Sequence, residues 1–230
     1  GSPASDEAAR AIKKTGLLME AVETCTEAAT KEFDVGMQKR LLKAASYGMH
    51  FSYKDPTEGI IMGGSLENQH PIDDKTMPSE TAIKFTTAAR TLRILNALRD
   101  PSVGFILTAA QFDQITPTGV VARLVAMKRP ALASSISGYL GLPKSVQLFA
   151  RASKAAAFVA SDKSKSDAET AEAAIRIINE NIHQNQAQNG NSGAYASVAL
   201  AANRAGRAGV ANLLLMLESS VADKVPALIA

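Results

Sequence analysis

Forty-one of the 230 residues are alanine, against nine prolines and no tryptophan, and that surplus constrains the fold more than any single motif. Alanine loses no side-chain entropy when it enters a helix, and its small volume lets two helices approach closely. A chain with 46% hydrophobic residues and this much alanine can therefore bury a sizeable core as packed helices. The expectation is an all-α protein.

The apolar periodicity fits that expectation. Ile12, Met19 and Val22 mark one amphipathic helix over Ala8 to Thr30, and Met37, Leu41, Ala44, Ala45, Gly48 and Phe51 mark a second that starts after Asp34 and stops before Lys54-Asp55-Pro56. Residues 56–79 hold three prolines and three glycines without periodicity and read as a disordered surface loop. Helix resumes at Ser79-Glu80, carries Ala88, Leu92, Leu95 and Leu98, and ends at Asp100-Pro101, with a linker beyond it. Thr116-Pro117 places a capping hydroxyl before proline at the first helical position, opening a helix with Val121, Leu124 and Val125. After Lys128-Arg129-Pro130 comes a stripe of Leu132, Ile136, Tyr139 and Leu140, stopped by Gly141 and restarted at Pro143. Val146, Phe149, Ala150, Ser153 and Ala157 give the next helix a face of mostly small residues. Ser166 to Glu169 is a capping-box sequence before a helix lined by Ile175, Ile178 and Ile182, and the amide-rich run from Asn181 to Gly193 is a loop. Two last helices meet at Gly206.

One internal correspondence points to repetition. At offsets +3, +4, +7 and +10 from Arg129 stand Leu132, Ala133, Ile136 and Tyr139; the same offsets from Arg207 give Val210, Ala211, Leu214 and Leu217. The two arginines are 78 residues apart, or two repeats of about 39, within the range of helical-pair solenoids. The predicted architecture is an α-solenoid of stacked antiparallel helical hairpins. Gly1-Ser2-Pro3 reads as a cloning scar, leaving 4–230 as a single C-terminal helical-repeat domain cut from something larger.

Several chemistries find no support. Cys25 is the sole cysteine, so an internal disulfide and a cysteine metal cluster are excluded, and its ordinary role is a small core-facing residue. His50, His70 and His183 lack partners at metal-ligand spacing, and neither Gly63-Gly64 nor the glycines at 190–193 complete a phosphate-cradling pattern. The serine pairs 134–135 and 219–220 lie outside any Gly-x-Ser-x-Gly frame. A formal charge of +3 and 5% aromatics give no footprint for nucleic acid. No apolar run approaches bilayer-spanning length. The chain reads as a non-enzymatic binding scaffold with no cofactor. The alternatives are a generic helical-repeat adaptor and a weak membrane-surface module using Lys163 and Lys165, which are more ordinarily solvated loop residues.

With these helices placed, the run Arg123-Leu124-Val125 through Ala133, Ile136, Tyr139-Leu140 and Leu142-Pro143 resembles the C-terminal region of the vacuolar protein sorting-associated protein 16 family. Leu41 to Gly48 and Leu92 to Asp100 resemble two upstream blocks, and Gly206-Arg207 with Ala211, Leu214, Glu218 and Val225-Pro226 resembles its end. The likeness runs over about residues 36–230. Residues 148–154, Leu-Phe-Ala-Arg-Ala-Ser-Lys, depart from the family's His-Trp-Ala and Tyr-Lys, and 56–80 looks inserted. The resemblance implies a scaffold subunit of the HOPS and CORVET endolysosomal tethering complexes. Its solenoid would bind the Sec/Munc-type vacuolar protein sorting-associated protein 33 for SNARE-mediated fusion, at late endosomal and vacuolar or lysosomal membranes. By that resemblance Ala150 and Arg207 fall at partner-interface positions, with Arg151 and Lys154 added by proximity on the same helix.

Overall fold

The computed structural model describes residues 3–53, 80–161, 164–180 and 193–229. Among them the secondary structure is helical throughout, with no strand. The described residues form two compact units, 1–111 and 112–230, and within each the helices pack on their neighbours as the expected all-α solenoid of stacked hairpins requires.

The first unit holds α1 (Pro3–Lys14), α2 (Leu18–Lys31), α3 (Val35–Tyr53) and α4 (Glu80–Arg99). The single helix expected over Ala8 to Thr30 is instead two. Gly16 adopts a left-handed φ of 76°, and its N–H donates to the Lys13 carbonyl, so the chain turns where side-chain periodicity alone would carry it on. α2 packs along α3 and also against α4, burying Leu18, Val22, Ala45, Leu92, Leu95 and Leu98. Gly48 makes the α2–α3 approach close: a Cβ there would lie 2.7 Å from the Val22 methyl. Gln38, buried between helices, is satisfied at both ends of its amide, donating to the Glu32 carbonyl at 2.8 Å and accepting from Asn96 at 2.7 Å. Arg99 donates to the Leu107 carbonyl at 2.8 Å and lies 4.2 Å from the Phe33 ring centroid, tying the end of α4 to the α2–α3 corner.

The linker expected after Pro101 contains a short helix, α5 (Ala109–Ile115). Thr108 and Gln111 form its start: the Thr108 hydroxyl accepts from the Gln111 N–H at 3.2 Å, and the Gln111 side chain accepts from the Thr108 N–H at 3.0 Å. This is the reciprocal capping pattern, and its Thr-x-x-Gln spacing stands in the sequence.

The second unit holds α6 (Pro117–Ala126), α7 (Pro130–Tyr139), α8 (Lys144–Ser161), α9 (Asp167–Ile178), α10 (Ala194–Arg204), α11 (Ala208–Leu217) and α12 (Val221–Ile229). Thr116 caps α6 as expected, accepting from the Gly119 N–H at 3.3 Å with Pro117 at the first position. Each of α6 to α9 packs on its successor, as does α10 on α11, while α8 also packs on α10 and α9 on α11. Short connections make α6–α7, α7–α8 and α10–α11 antiparallel hairpins. The shared core is built from small residues, Ala152, Ala155, Ala171, Ala174, Ala199, Ala202 and Ala211, interleaved with Val159, Ile178, Val198, Val210 and Leu214. That is the structural use of the alanine surplus, since small side chains let helix axes close toward the short end of the 8–10 Å range.

The 78-residue correspondence is visible in the backbone. Lys128 and Gly206 both take left-handed φ, 61° and 75°, and the next residue's N–H, from Arg129 or Arg207, donates to the carbonyl five residues back at 2.8 and 2.9 Å. Arg129 (φ −116°, ψ 50°) and Arg207 (φ −108°, ψ 61°) then open α7 and α11. Offsets +4 and +7 are buried in both hairpins, and +10 is exposed in both. The last helix, α12, was not among the expected elements, and it carries Pro226 in its interior. The proline lies six residues into a helix that Ser220 starts by accepting from the Asp223 N–H at 3.3 Å. The expected loop at 56–79, the loop expected over Asn181 to Gly193 except for Gly193 itself, and Lys163 lie outside the described residues, and with them His70, Ile182 and His183.

Candidate partner-binding site

α8 begins just after Pro143, and the residues it buries, Ala150, Arg151, Ala152, Ala155 and Val159, place it between its neighbours in the second unit. Ala150 is fully buried, so its methyl belongs to the interior of the unit and fixes how deeply this turn of α8 sits. Arg151 follows it inward, at only 8% exposure. Its Nε donates to the Gln147 carbonyl at 3.3 Å and its Nη1 to the Glu180 carbonyl. Burial pushes the Arg151 pKa down while the Glu180 carboxylate opposes the shift, and a guanidinium starts high enough to stay charged. Lys154, one turn on, pairs with the Glu180 carboxylate at 2.9 Å. Two cations of α8 thus converge on the segment that follows α9, beside a polar cleft of about 160 Å³ whose walls include Ser134, Ser135, Tyr139 and Gln147.

Arg207 lies elsewhere. Its Nη2 donates to the Asp167 carboxylate and to the Lys165 carbonyl, both at 2.9 Å, and its Nε donates to Asp167 at 3.2 Å. It therefore clamps the first turn of α9, whereas Arg151 and Lys154 engage the segment after α9's last turn. The twelve residues of α9 separate the two by about 18 Å at 1.5 Å per residue. Gly209 makes room for the clamp, for a Cβ there would collide with an Asp167 carboxylate oxygen. Of the four residues singled out from sequence, Arg151 and Lys154 share a site, Ala150 underlies it, and Arg207 marks a second contact on the same unit.

Two features were not singled out. Glu218, 2% exposed, caps α10 from the end of α11: one carboxylate oxygen accepts from the Gly193 and Ala196 N–H groups at 3.0 and 3.2 Å, and the other accepts from Ser220 N–H at 3.2 Å. A carboxylate on a helix N-terminus is electrostatically favoured, and here it closes the α10–α11 hairpin. The second feature is a set of exposed apolar side chains on each of α11 and α12: Leu213, Leu217 and Met216, at 77%, on the first, and Val221, Val225 and Leu228, at 64%, on the second. Its signal in the sequence is the unbroken run Leu213 to Leu217, too apolar for a helix with one solvated face. Exposed apolar groups that share a helix face, as Leu213, Met216 and Leu217 do by their spacing, mark protein contact surfaces.

Among the described residues, no cluster of three His, Cys, Asp or Glu could hold a metal ion, and no helix is long and apolar enough to cross a membrane. His50 is exposed and Cys25 half-buried. Lys165 lies 5.1 Å from the Phe158 ring centroid.

Comparison with known proteins places these features in a family. Residues 1–61 match a family model described as "Vps16, N-terminal region". The chain is 33% identical over 228 residues, 99% of its length, to Protein VACUOLELESS1 of Arabidopsis thaliana, and equally so to the vacuolar protein sorting-associated protein 16 homolog of Dictyostelium discoideum. The Drosophila melanogaster homolog is 29% identical over 91% of the chain. The likeness thus takes in the first helices as well as the blocks from residue 36 onward. The chain spans 22% of the length of the Arabidopsis and Dictyostelium proteins.

Proposed function

Because this chain belongs, as one segment, to the vacuolar protein sorting-associated protein 16 family, we propose that it is a non-enzymatic scaffold of an endolysosomal tethering complex of the HOPS or CORVET type. Its second unit binds the Sec/Munc-type subunit, vacuolar protein sorting-associated protein 33, and so brings that subunit to sites of SNARE-mediated fusion in vacuolar transport. The chain works on the cytoplasmic side of late endosomal and vacuolar or lysosomal membranes, held there through its partners.

The observation that carries this reading is the set of exposed apolar side chains on α11 and α12 in the same helical array as Arg207. Interfaces draw most of their energy from a few apolar and arginine anchors surrounded by polar residues, and α11 offers both within ten residues: Arg207 at its start, Leu213, Met216 and Leu217 along it. Arg151 and Lys154 supply a polar contact region at the other end of α9. Ala150 contributes by position, holding α8 at the depth that presents them.

Capture of the Sec/Munc-type protein on immobilised chain, read as an affinity, tests the proposal. Met216→Asp, at a site that packs on little, is expected to leave helicity unchanged and to weaken capture by roughly tenfold or more, the scale of an anchor residue. Unchanged capture by both Met216→Asp and Arg207→Gln, with the fold intact, would overturn the assignment of this surface.

A further inference from the structure

Arg151 is more than nine-tenths buried and lines a cleft, yet no carboxylate is hydrogen-bonded to it. Its Nε and Nη1 donate to backbone carbonyls of Gln147 and Glu180, and among the described residues its Nη2 group has no hydrogen-bond partner. The carboxylate nearest in chemistry, that of Glu180, is held by Lys154 at 2.9 Å. Among the described residues the cleft therefore carries two cations against one carboxylate. Desolvating a guanidinium is costly unless its charge is compensated and its N–H groups are bonded, and carbonyls satisfy the second condition without the first. The remaining wall, around a volume of about 160 Å³, is polar and includes Ser134, Ser135, Tyr139 and Gln147, of which Ser135 donates to the Ala131 carbonyl at 3.1 Å and Gln147 to the Leu142 carbonyl at 2.7 Å.

We propose that this cleft between α7 and α8 is a carboxylate-binding site, which takes an aspartate or glutamate side chain of the protein bound by the second unit. The inference rests on the reading of that unit as a partner-binding scaffold and adds the chemistry of one contact. The net single positive charge of these described side chains favours a monoanion, and the Nη2 group of Arg151, which has no hydrogen-bond partner among the described residues, can donate to a carboxylate oxygen. A phosphate dianion would leave the cleft over-neutralised beside Glu180. Lys154, with 32% of its side chain exposed, and Glu180, with 48%, are both open enough for an incoming carboxylate to compete with Glu180 for the ammonium group. Lys154 and Glu180 thus set how strongly the site attracts an anion, and Arg151 provides its floor.

The test needs no partner. Sodium acetate is titrated into isotope-labelled chain against sodium chloride at matched ionic strength, and the backbone amides of Ser135, Gly138 and Gln147 are followed by NMR. The expected result is a saturable shift at these amides with acetate. Lys154→Gln should weaken it by roughly two- to five-fold, the scale of a partly exposed ion pair, and Glu180→Gln should strengthen it by a similar factor. Both are surface changes that leave the core untouched, which matters because Arg151→Met also removes two bonds to backbone carbonyls. No saturable shift, shifts indifferent to both variants, or tighter binding of inorganic phosphate than of acetate would overturn the proposal. Acetate binding without capture of the Sec/Munc-type protein would uphold the cleft and remove that partner. Capture without acetate binding would do the reverse.

Discussion

Ser166 and Glu169 show how much one local pairing can settle. The Ser166 hydroxyl accepts from the Glu169 N–H at 3.3 Å, and the Glu169 carboxylate accepts from the Ser166 N–H at 3.0 Å and from its hydroxyl at 2.8 Å. The hydroxyl bond first, then the backbone bond, with a smaller contribution from Lys165, holds the Glu169 pKa below its ordinary value. A carboxylate with a lowered folded pKa adds stability above its unfolded value, roughly pH 4, and loses it as pH falls through the folded value. Ser166→Ala is therefore expected to lower stability at pH 7, by about 1 kcal/mol for a lost N-cap. It should also flatten the decline between neutral and acid pH, and urea midpoints at pH 7 and pH 3 read both effects. A variant that declines with pH as steeply as the parent would contradict the coupling. This box was legible because both partners lie within four residues. Thr108 and Gln111 have the same logic, but their helix is seven residues long and too short to declare itself by periodicity. The long-range bonds of Arg151 and Glu218 could not be read, since those partners stand 29 and 22 to 25 residues away.

Among the elements, helix existence was set by local apolar spacing and helix ends by backbone conformation. Gly16 is tolerable inside a helix and equally suited to end one, and only tertiary packing chooses. Gly48 is the opposite case, a glycine in mid-helix whose reason is a neighbour. On propensity alone Gly48→Ala should stabilise α3 by about 1 kcal/mol. Against Val22, whose methyl would be 2.7 Å from the new Cβ in a site 2% exposed, the account predicts a net loss of about 1–3 kcal/mol from overpacking. Val22→Ala in the same background should recover part of that loss, a coupling that a double-mutant cycle measures. A more stable Gly48→Ala would mean that α2 and α3 part easily. The mid-helix glycine was visible in the sequence, but the identity of the residue facing it was not.

At the scale of the molecule, the alanine count predicted all-α packing and the 78-residue offset predicted repetition, and both are present, the second down to the left-handed residue before Arg129 and Arg207. Repetition was legible because each hairpin must solve the same local problem, a tight turn and two inward positions per helix. Function is harder to read, because a binding surface obeys no period. Arg207 was placed by resemblance, and the structure shows it bonded within its own chain, to Asp167 and Lys165. The exposed apolar side chains of α11 and α12 stand outside the positions that resemblance supplied. The central claim, that this segment is a binding scaffold for a Sec/Munc-type protein, is tested most directly by size-exclusion chromatography with light scattering of the two mixed at micromolar concentration. The account predicts a co-eluting species with the mass of one copy of each. Separate elution of both proteins at their own masses would contradict it.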